Sequence, residues 1–342
     1  MNKRKKALIT GVSGQDGSYS AEFLLGKGYE VAGMARESEN LSEGNISHIR
    51  DSLQIVYADL GDSVSLLQAL KDTQPNEIYN LASQSVPATS FEEPIETVEI
   101  TGVGPHRLFE AMREVCQKAK LYQASTAEMF GWVTKAPQSE ETPFAPANPY
   151  AASKLYAHHI ARIYRASYGM FLACGILYNH SSPRRNLNFV EQKVAYAAAC
   201  AKLGITTSEH FNEAGEPIVK DGKVAMGNLE LKRDWGFALD YVESMWLMLQ
   251  QAEPDDYVIG TGKAHTIQEL CREAFGYVGL DWKKYIMVDK RFFRPTETGP
   301  LVADYAKAKK VLGWSPRTSF EQLMAMLVDA HIKNLTKKTQ DD

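Results

Sequence analysis

Ala7-Leu8-Ile9-Thr10-Gly11-Val12-Ser13-Gly14-Gln15-Asp16-Gly17 is followed by Ser20-Ala21-Glu22-Phe23-Leu24-Leu25. The first four residues form a short apolar run, as expected of a strand buried on both faces. Glycines then recur as G-x-x-G-x-x-G, and the second stretch has the apolar spacing of a helix. Strand, glycine-rich turn and helix is the setting in which a chain holds a dinucleotide. The glycines let backbone approach a pyrophosphate, and the helix start supplies N–H donors and a positive dipole end. A plain glycine turn is the alternative reading; the flanking strand and helix argue against it.

Working outward, Gly28 ends the first helix, and residues 29–34 read as a second strand. A dinucleotide fold recognises the adenosine ribose just past this strand. Ala35 and Arg36 stand there, and a guanidinium suits the 2′-phosphate of NADP. Glu37 could neutralise Arg36 or accept from a ribose hydroxyl, which leaves NAD open. Apolar runs at 54–60, 77–82 and 120–124 predict further strands, with helical spacing at 64–70 and 108–116 between them. Alternating strand and helix implies an α/β, Rossmann-type doubly wound parallel sheet that binds ligands at its C-terminal edge. Asp59, Ala82, Ser85, Thr126 and Glu128 all fall on that edge.

The chemistry centres on Pro149-Tyr150-Ala151-Ala152-Ser153-Lys154. Tyr150 and Lys154 are four apart, so on a helix they share a face. An ammonium beside a phenol favours the phenolate, and the expectation is a Tyr150 pKa lowered from about 10 toward neutral. That would make Tyr150 a usable proton acceptor. By itself the pair could be two solvated side chains; the glycine-rich turn upstream gives it meaning. From Tyr178 the character changes, and Asn179-His180-Ser181-Ser182-Pro183-Arg184-Arg185 reads as a polar, basic loop lining an anionic ligand. We expect a dinucleotide domain over 1–178 with return segments near 229–260. A smaller mixed α/β substrate lobe occupies most of 179–335, and 336–342 is a flexible tail.

The rest of the sequence narrows the class. A net charge of −4 offers no nucleic-acid or acidic-membrane surface. No segment approaches membrane-spanning length, and the basic start, residues 1–6, precedes too short an apolar run for a signal peptide. Cys116, Cys174, Cys200 and Cys271 lack C-x-x-C spacing and read as reduced thiols of a cytoplasmic protein. The histidines show no metal-ligand spacing, so no metal is expected.

Together these stretches resemble the extended short-chain dehydrogenase/reductase family, and within it the GDP-mannose 4,6-dehydratases. The resemblance rests on 10–19, Tyr122-Gln123-Ala124-Ser125-Thr126-Ala127-Glu128, Tyr150 to Lys154, 175–180, Arg233-Asp234-Trp235-Gly236 and Phe293-Arg294-Pro295-Thr296-Glu297. It covers about residues 6–330. It implies a nucleotide-sugar 4,6-dehydratase, a hydro-lyase of deoxysugar biosynthesis using tightly bound NADP. Tyr150, Lys154, Glu128 and Thr126 would be catalytic. The cofactor would contact Gly11, Ser13, Gly14, Gln15, Asp16, Gly17, Arg36, Asp59, Leu60, Leu81, Ala82, Ser83, Gln84, Ser85, Tyr150, Lys154, His180 and Arg185. The substrate, GDP-mannose by resemblance, would contact Ser85, Thr126, Glu128, Asn179, Val190, Lys193, Arg233, Arg294 and Glu297. A homodimer or homotetramer is implied.

Four departures bear on what is bound. Glu37 replaces a second arginine, Glu191-Gln192-Lys193 lacks the usual Thr-Arg before the lysine, 205–224 is long, and Val86-Pro87-Ala88 is unusual. A GDP-linked heptose, or an epimerase or 4-keto reductase reaction, is the alternative. Glu128 favours the dehydratase, because those other reactions need no carboxylate there. A non-catalytic NADP-binding protein would not need Tyr150 and Lys154.

Overall fold

The computed structural model describes residues 4–293 and 298–341. The strands are β1 Lys6–Thr10, β2 Glu30–Ala35, β3 Gln54–Tyr57, β4 Glu77–Asn80, β5 Lys120–Thr126, β6 Phe171–Leu177 and β7 Asn179–Ser181. They continue as β8 Val224–Met226, β9 Lys232–Phe237, β10 Asp256–Ile259, β11 Ala264–Thr266 and β12 Ile286–Val288. Seven of them form a parallel sheet ordered β10-β6-β5-β4-β1-β2-β3.

Alternation along β1 explains why both sheet faces are covered. Ala7 and Ile9 point into one apolar cluster, filled by Leu24 of the helix Gln15–Gly26 and by Met245 and Met248 of the helix Ala238–Leu249. Leu8 points into the other, where it meets Leu70 of Ser63–Thr73, Phe109 of Gly104–Val115 and Ala161 of Pro149–Tyr168. With polar strand ends and apolar strand centres, the sheet must bury both faces, and ligands are left its C-terminal edge.

A smaller layer lies beyond that edge. It contains the sheet β11-β9-β7, the pair β12-β8, and the helices Val190–Leu203, Ile267–Tyr277 and Phe320–Asp341. Ala198, Trp235, Phe275, Leu323 and Leu327 fill its own core. Thr266 begins the middle helix with a reciprocal cap to Glu269.

Several boundaries differ from the sequence-based expectation. The fourth strand stops at Asn80, because Thr10 Oγ1 captures the Leu81 and Ala82 N–H groups at 2.9 and 3.0 Å. Asn179–Ser181, expected as loop, pairs in parallel with β9, a partner that local sequence cannot reveal. The helix after β9 runs from Ala238 to Leu249, and Tyr241, Val242 and Met245 bury one side of it. The strand β10, Asp256–Ile259, returns to the main sheet beside β6. Of the tail expected to be flexible, residues 336–341 continue the helix Phe320–Asp341, anchored upstream by buried Leu327 and Val328. The four cysteines are unpaired. Among the described residues no helix is long and apolar enough to cross a membrane.

Candidate active site

One cleft of about 1340 Å³ runs along the C-terminal edge of the main sheet and under the smaller layer. It exceeds the ~300–1,000 Å³ typical of one small ligand, so it can hold two ligands side by side. Every residue assigned above to catalysis, cofactor or substrate lines it, except Arg294 and Glu297, which lie outside the described residues.

The glycine-rich turn forms one end. Gly11 sits at φ +66°, and a Cβ there would meet Ala82 Cα at 2.9 Å; a Cβ on Gly17 would strike Gly11 O at 2.1 Å. Only glycine allows the turn to fold this tightly against β4 and the following helix. Gly14 precedes that helix and has no side-chain cap, which leaves N–H groups of its first turn toward the cleft. This cradle fits a dinucleotide pyrophosphate. His180 closes its far side, with Nε2 2.8 Å from Asp16 Oδ2 and Nδ1 2.8 Å from Tyr178 O. Desolvation in the partly enclosed cleft raises the Asp16 carboxyl, but His180 and Gln15 outweigh this and hold it below the ordinary range. Arg185 donates to His180 O at 2.5 Å and pairs with Glu191 at 3.0 Å.

At the end of β2 the expectation about Glu37 fails. Glu37 is exposed and does not line the cleft. The carboxylate facing Arg36 belongs to Glu39, whose Oε1 lies 3.4 Å from Arg36 Nε. The turn at 36–39, closed by Glu39 N donating to Arg36 O, swings Glu39 back toward Arg36.

Tyr150, Lys154, Thr126 and Glu128 converge at the middle of the cleft. Tyr150 and Lys154 occupy the first turns of the helix Pro149–Tyr168, capped by Asn148, whose Oδ1 accepts from Ala151 N at 2.8 Å. Thr126 ends β5, hydrogen-bonds Tyr150 and accepts from Glu128 N at 3.2 Å. Glu128 is 9% exposed, receives the Asn148 amide at 3.2 Å and lies 3.9 Å from Arg233 Nε. Arg233 is itself buried and also donates to Thr298 at 2.8 Å, which excludes a surface ion pair.

The electrostatics differ from the simple Tyr/Lys expectation. Burial pushes the Tyr150 phenol well above its usual range, the Thr126 hydrogen bond pulls the other way, and Glu128 adds to the rise. Burial also brings the Lys154 ammonium down to about 8. Lys154 Nζ donates to Ala124 O at 3.0 Å and stands 5.8 Å from the Tyr150 ring centroid, too far to offset the phenol's desolvation.

Within Glu191-Gln192-Lys193, only Glu191 and Lys193 face the cleft. Gln192 is fully buried on the opposite side and bonds Ser181, Ser182 and His331. Lys193 Nζ pairs with Glu213 from the long 205–224 segment, bringing that segment to the cleft wall. Asn148, Glu39 and Glu213 were not singled out from sequence. For Asn148 the signal was present, since Asn-Pro is a helix-start pattern; Glu39 and Glu213 needed the folded loops.

Among the described residues, one group of potential metal ligands occurs, His158, Cys174 and Asp256, buried below β6. Arg165 already engages Asp256 Oδ1 at 2.6 Å and Arg162 lies 3.6 Å from Oδ2, so cationic charge there is supplied by protein.

Comparison with known proteins agrees with this geometry. The family model described as GDP-mannose 4,6 dehydratase matches residues 8–327. GDP-mannose 4,6 dehydratase 2 of Arabidopsis thaliana is 48% identical over 96% of this chain and 87% of its own length. The GDP-mannose 4,6-dehydratase of Yersinia enterocolitica is 41% identical over 95% and 93% respectively. Among solved structures, UDP-glucose 4-epimerase of Thermus thermophilus in complex with NAD is 26% identical. It superposes with a TM-score of 0.80 over 95% of this chain and 98% of that one.

Proposed function

The chain belongs to the GDP-mannose 4,6-dehydratase family, and from that membership we propose how its cleft removes water from GDP-mannose. The enzyme is a hydro-lyase that gives GDP-4-keto-6-deoxymannose, and it works with a nicotinamide cofactor. A nicotinamide dinucleotide held by the glycine-rich turn, Tyr150 and Lys154 would supply reversible hydride transfer with no net release of reduced cofactor. Arg36 suits the 2′-phosphate of NADP at the other end of that cofactor.

The chain's own residues move the protons. Tyr150, hydrogen-bonded to Thr126, takes the C4 hydroxyl proton as C4 is oxidised; burial raises its phenol, and the positive charge of an oxidised nicotinamide beside it would offset that rise. The resulting ketone acidifies C5–H. Glu128 removes that proton and delivers one to the departing C6 hydroxyl, which leaves as water. The proton held by Tyr150 balances the one required at C5 when C6 is reduced. The observation that carries this reading is the Thr126-Glu128-Tyr150 cluster, its phenol and carboxylate both buried, with Asn148 and Arg233 on the carboxylate. Arg233 and Lys193 suit the diphosphate end, with Arg294 and Glu297 added by family position. Unpaired thiols fit a cytoplasmic setting, and a homodimer or homotetramer is the assembly expected by family.

Incubation with GDP-mannose and NADP+ should give a product lighter by one water, about 18 Da, without net NADPH. Recovery of unchanged GDP-mannose overturns it as the substrate.

A further inference from the structure

Arg36 alone would mark the adenosine end of the cleft for a 2′-phosphate, yet the side chain it meets there is a carboxylate. Glu39 Oε1 accepts from Arg36 N at 3.2 Å and from Arg36 Nε at 3.4 Å. Glu39 Oε2 accepts from Ser13 Oγ at 2.5 Å. Ser13 belongs to the glycine-rich turn, so this one carboxylate bridges the turn and the end of β2. A dinucleotide fold holds the adenosine ribose in that region, with an acid roughly twenty residues past the glycines reading the 2′-hydroxyl. The Glu39 side chain is 23% exposed and lines the cleft, whereas that of Arg36 is 63% exposed. The anion is therefore the more fixed member of the pair.

We propose that Glu39 is the cofactor-selecting residue and that it opens this site to NAD alongside NADP. This rests on the reading of the cleft as a nicotinamide dinucleotide site. A ribose 2′-hydroxyl can donate to the Glu39 carboxylate. A 2′-phosphate instead brings like charge against Glu39 and must draw Arg36 away from it. Arg36 rewards the phosphate and Glu39 opposes it, so the two dinucleotides bind with comparable strength. Glu37, next to Arg36 in sequence but exposed and away from the cleft, has no part in the choice.

The test equilibrates the full-length protein with equimolar NAD+ and NADP+, removes free nucleotide, and quantifies what denaturation releases. The unaltered protein should retain both, within about tenfold of each other. E39Q keeps the size and an acceptor for Ser13 but removes the charge. It should shift retention toward NADP by about tenfold, the scale of one charge-assisted contact. R36Q should shift retention toward NAD, and E37Q should leave the ratio in place. A ratio that E39Q leaves within about threefold of the unaltered protein, or that E37Q moves as far, overturns the proposal. Retention of neither dinucleotide by the unaltered protein overturns the reading of the cleft as well, which separates the two failures.

Discussion

Asn148 joins the two halves of the proposed catalytic cluster through a single amide: its Oδ1 caps the helix bearing Tyr150 at 2.8 Å, and its Nδ2 holds Glu128 Oε2 at 3.2 Å. The phenol and the carboxylate therefore share one anchor. N148S keeps a capping oxygen but removes the donor to Glu128. We expect kcat to fall roughly tenfold to a hundredfold, as for a displaced catalytic group. C5 deuterium exchange should slow while C4 oxidation persists. N148A should lose about 1 kcal/mol of stability in addition. Turnover of N148S at the unaltered rate removes Asn148 from this role.

Glu128→Gln should stop water loss while leaving the dinucleotide bound, because the carboxylate touches Asn148 and Arg233 rather than the glycine-rich turn. Tyr150→Phe should instead block hydride transfer from C4, with transient absorbance of reduced nicotinamide lost. Losses on the order of a hundredfold or more are expected for an acid–base group. If E128Q still releases the dehydrated product at normal rate, the role of Glu128 fails.

Lys154 carries an ammonium that burial brings down to about 8 from an ordinary 10.5. Below pH 8 the folded chain holds that charge against its desolvation; between 8 and 10.5 the unfolded chain binds the proton and the folded one does not. Stability contributed by this group therefore rises with pH across that window. K154M should be inactive yet melt higher than the unaltered protein at pH 7, and the gap should close toward pH 10. A lower melting temperature for K154M at pH 7 contradicts this.

His158 and His331 are each brought down to about 4, chiefly by burial. Both stay neutral in the folded protein where the unfolded chain already binds a proton. Stability should therefore fall as pH drops from about 6.5 toward 4, by up to about 1.4 kcal/mol per pH unit for each histidine. Melting temperatures recorded from pH 7 to 4.5 should show this slope, and H331Q should flatten it. An equal slope in H331Q excludes His331 as a contributor.

Glu213 occupies Lys193 from the long loop, so it competes with any diphosphate oxygen for the same ammonium. E213Q should lower the KM for GDP-mannose a few-fold with little change in kcat, since the charge-assisted pair no longer has to be broken. An unchanged KM places Glu213 outside the substrate's path.

Local sequence determined the parallel sheet, the glycine-rich turn and the helix placing Tyr150 beside Lys154. Each depends on the spacing of apolar residues, glycines and caps over a few positions. It also determined that Thr126, which ends β5, and Glu128, in the turn that follows, reach the same sheet edge. What only the tertiary structure decided were contacts between segments far apart in the chain. These are β7 pairing with β9, β10 returning beside β6, Gln192 turning inward to His331, and Glu213 reaching Lys193. The Tyr150 phenol belongs in that group too. Four-residue spacing predicts an ammonium that lowers it, but burial raises it, and burial is a property of everything packed around a residue. Glu39 in place of Glu37 shows the same limit at short range. Which of two nearby carboxylates meets Arg36 depends on how the 36–39 turn folds against Ser13, and charge order along the chain does not encode that.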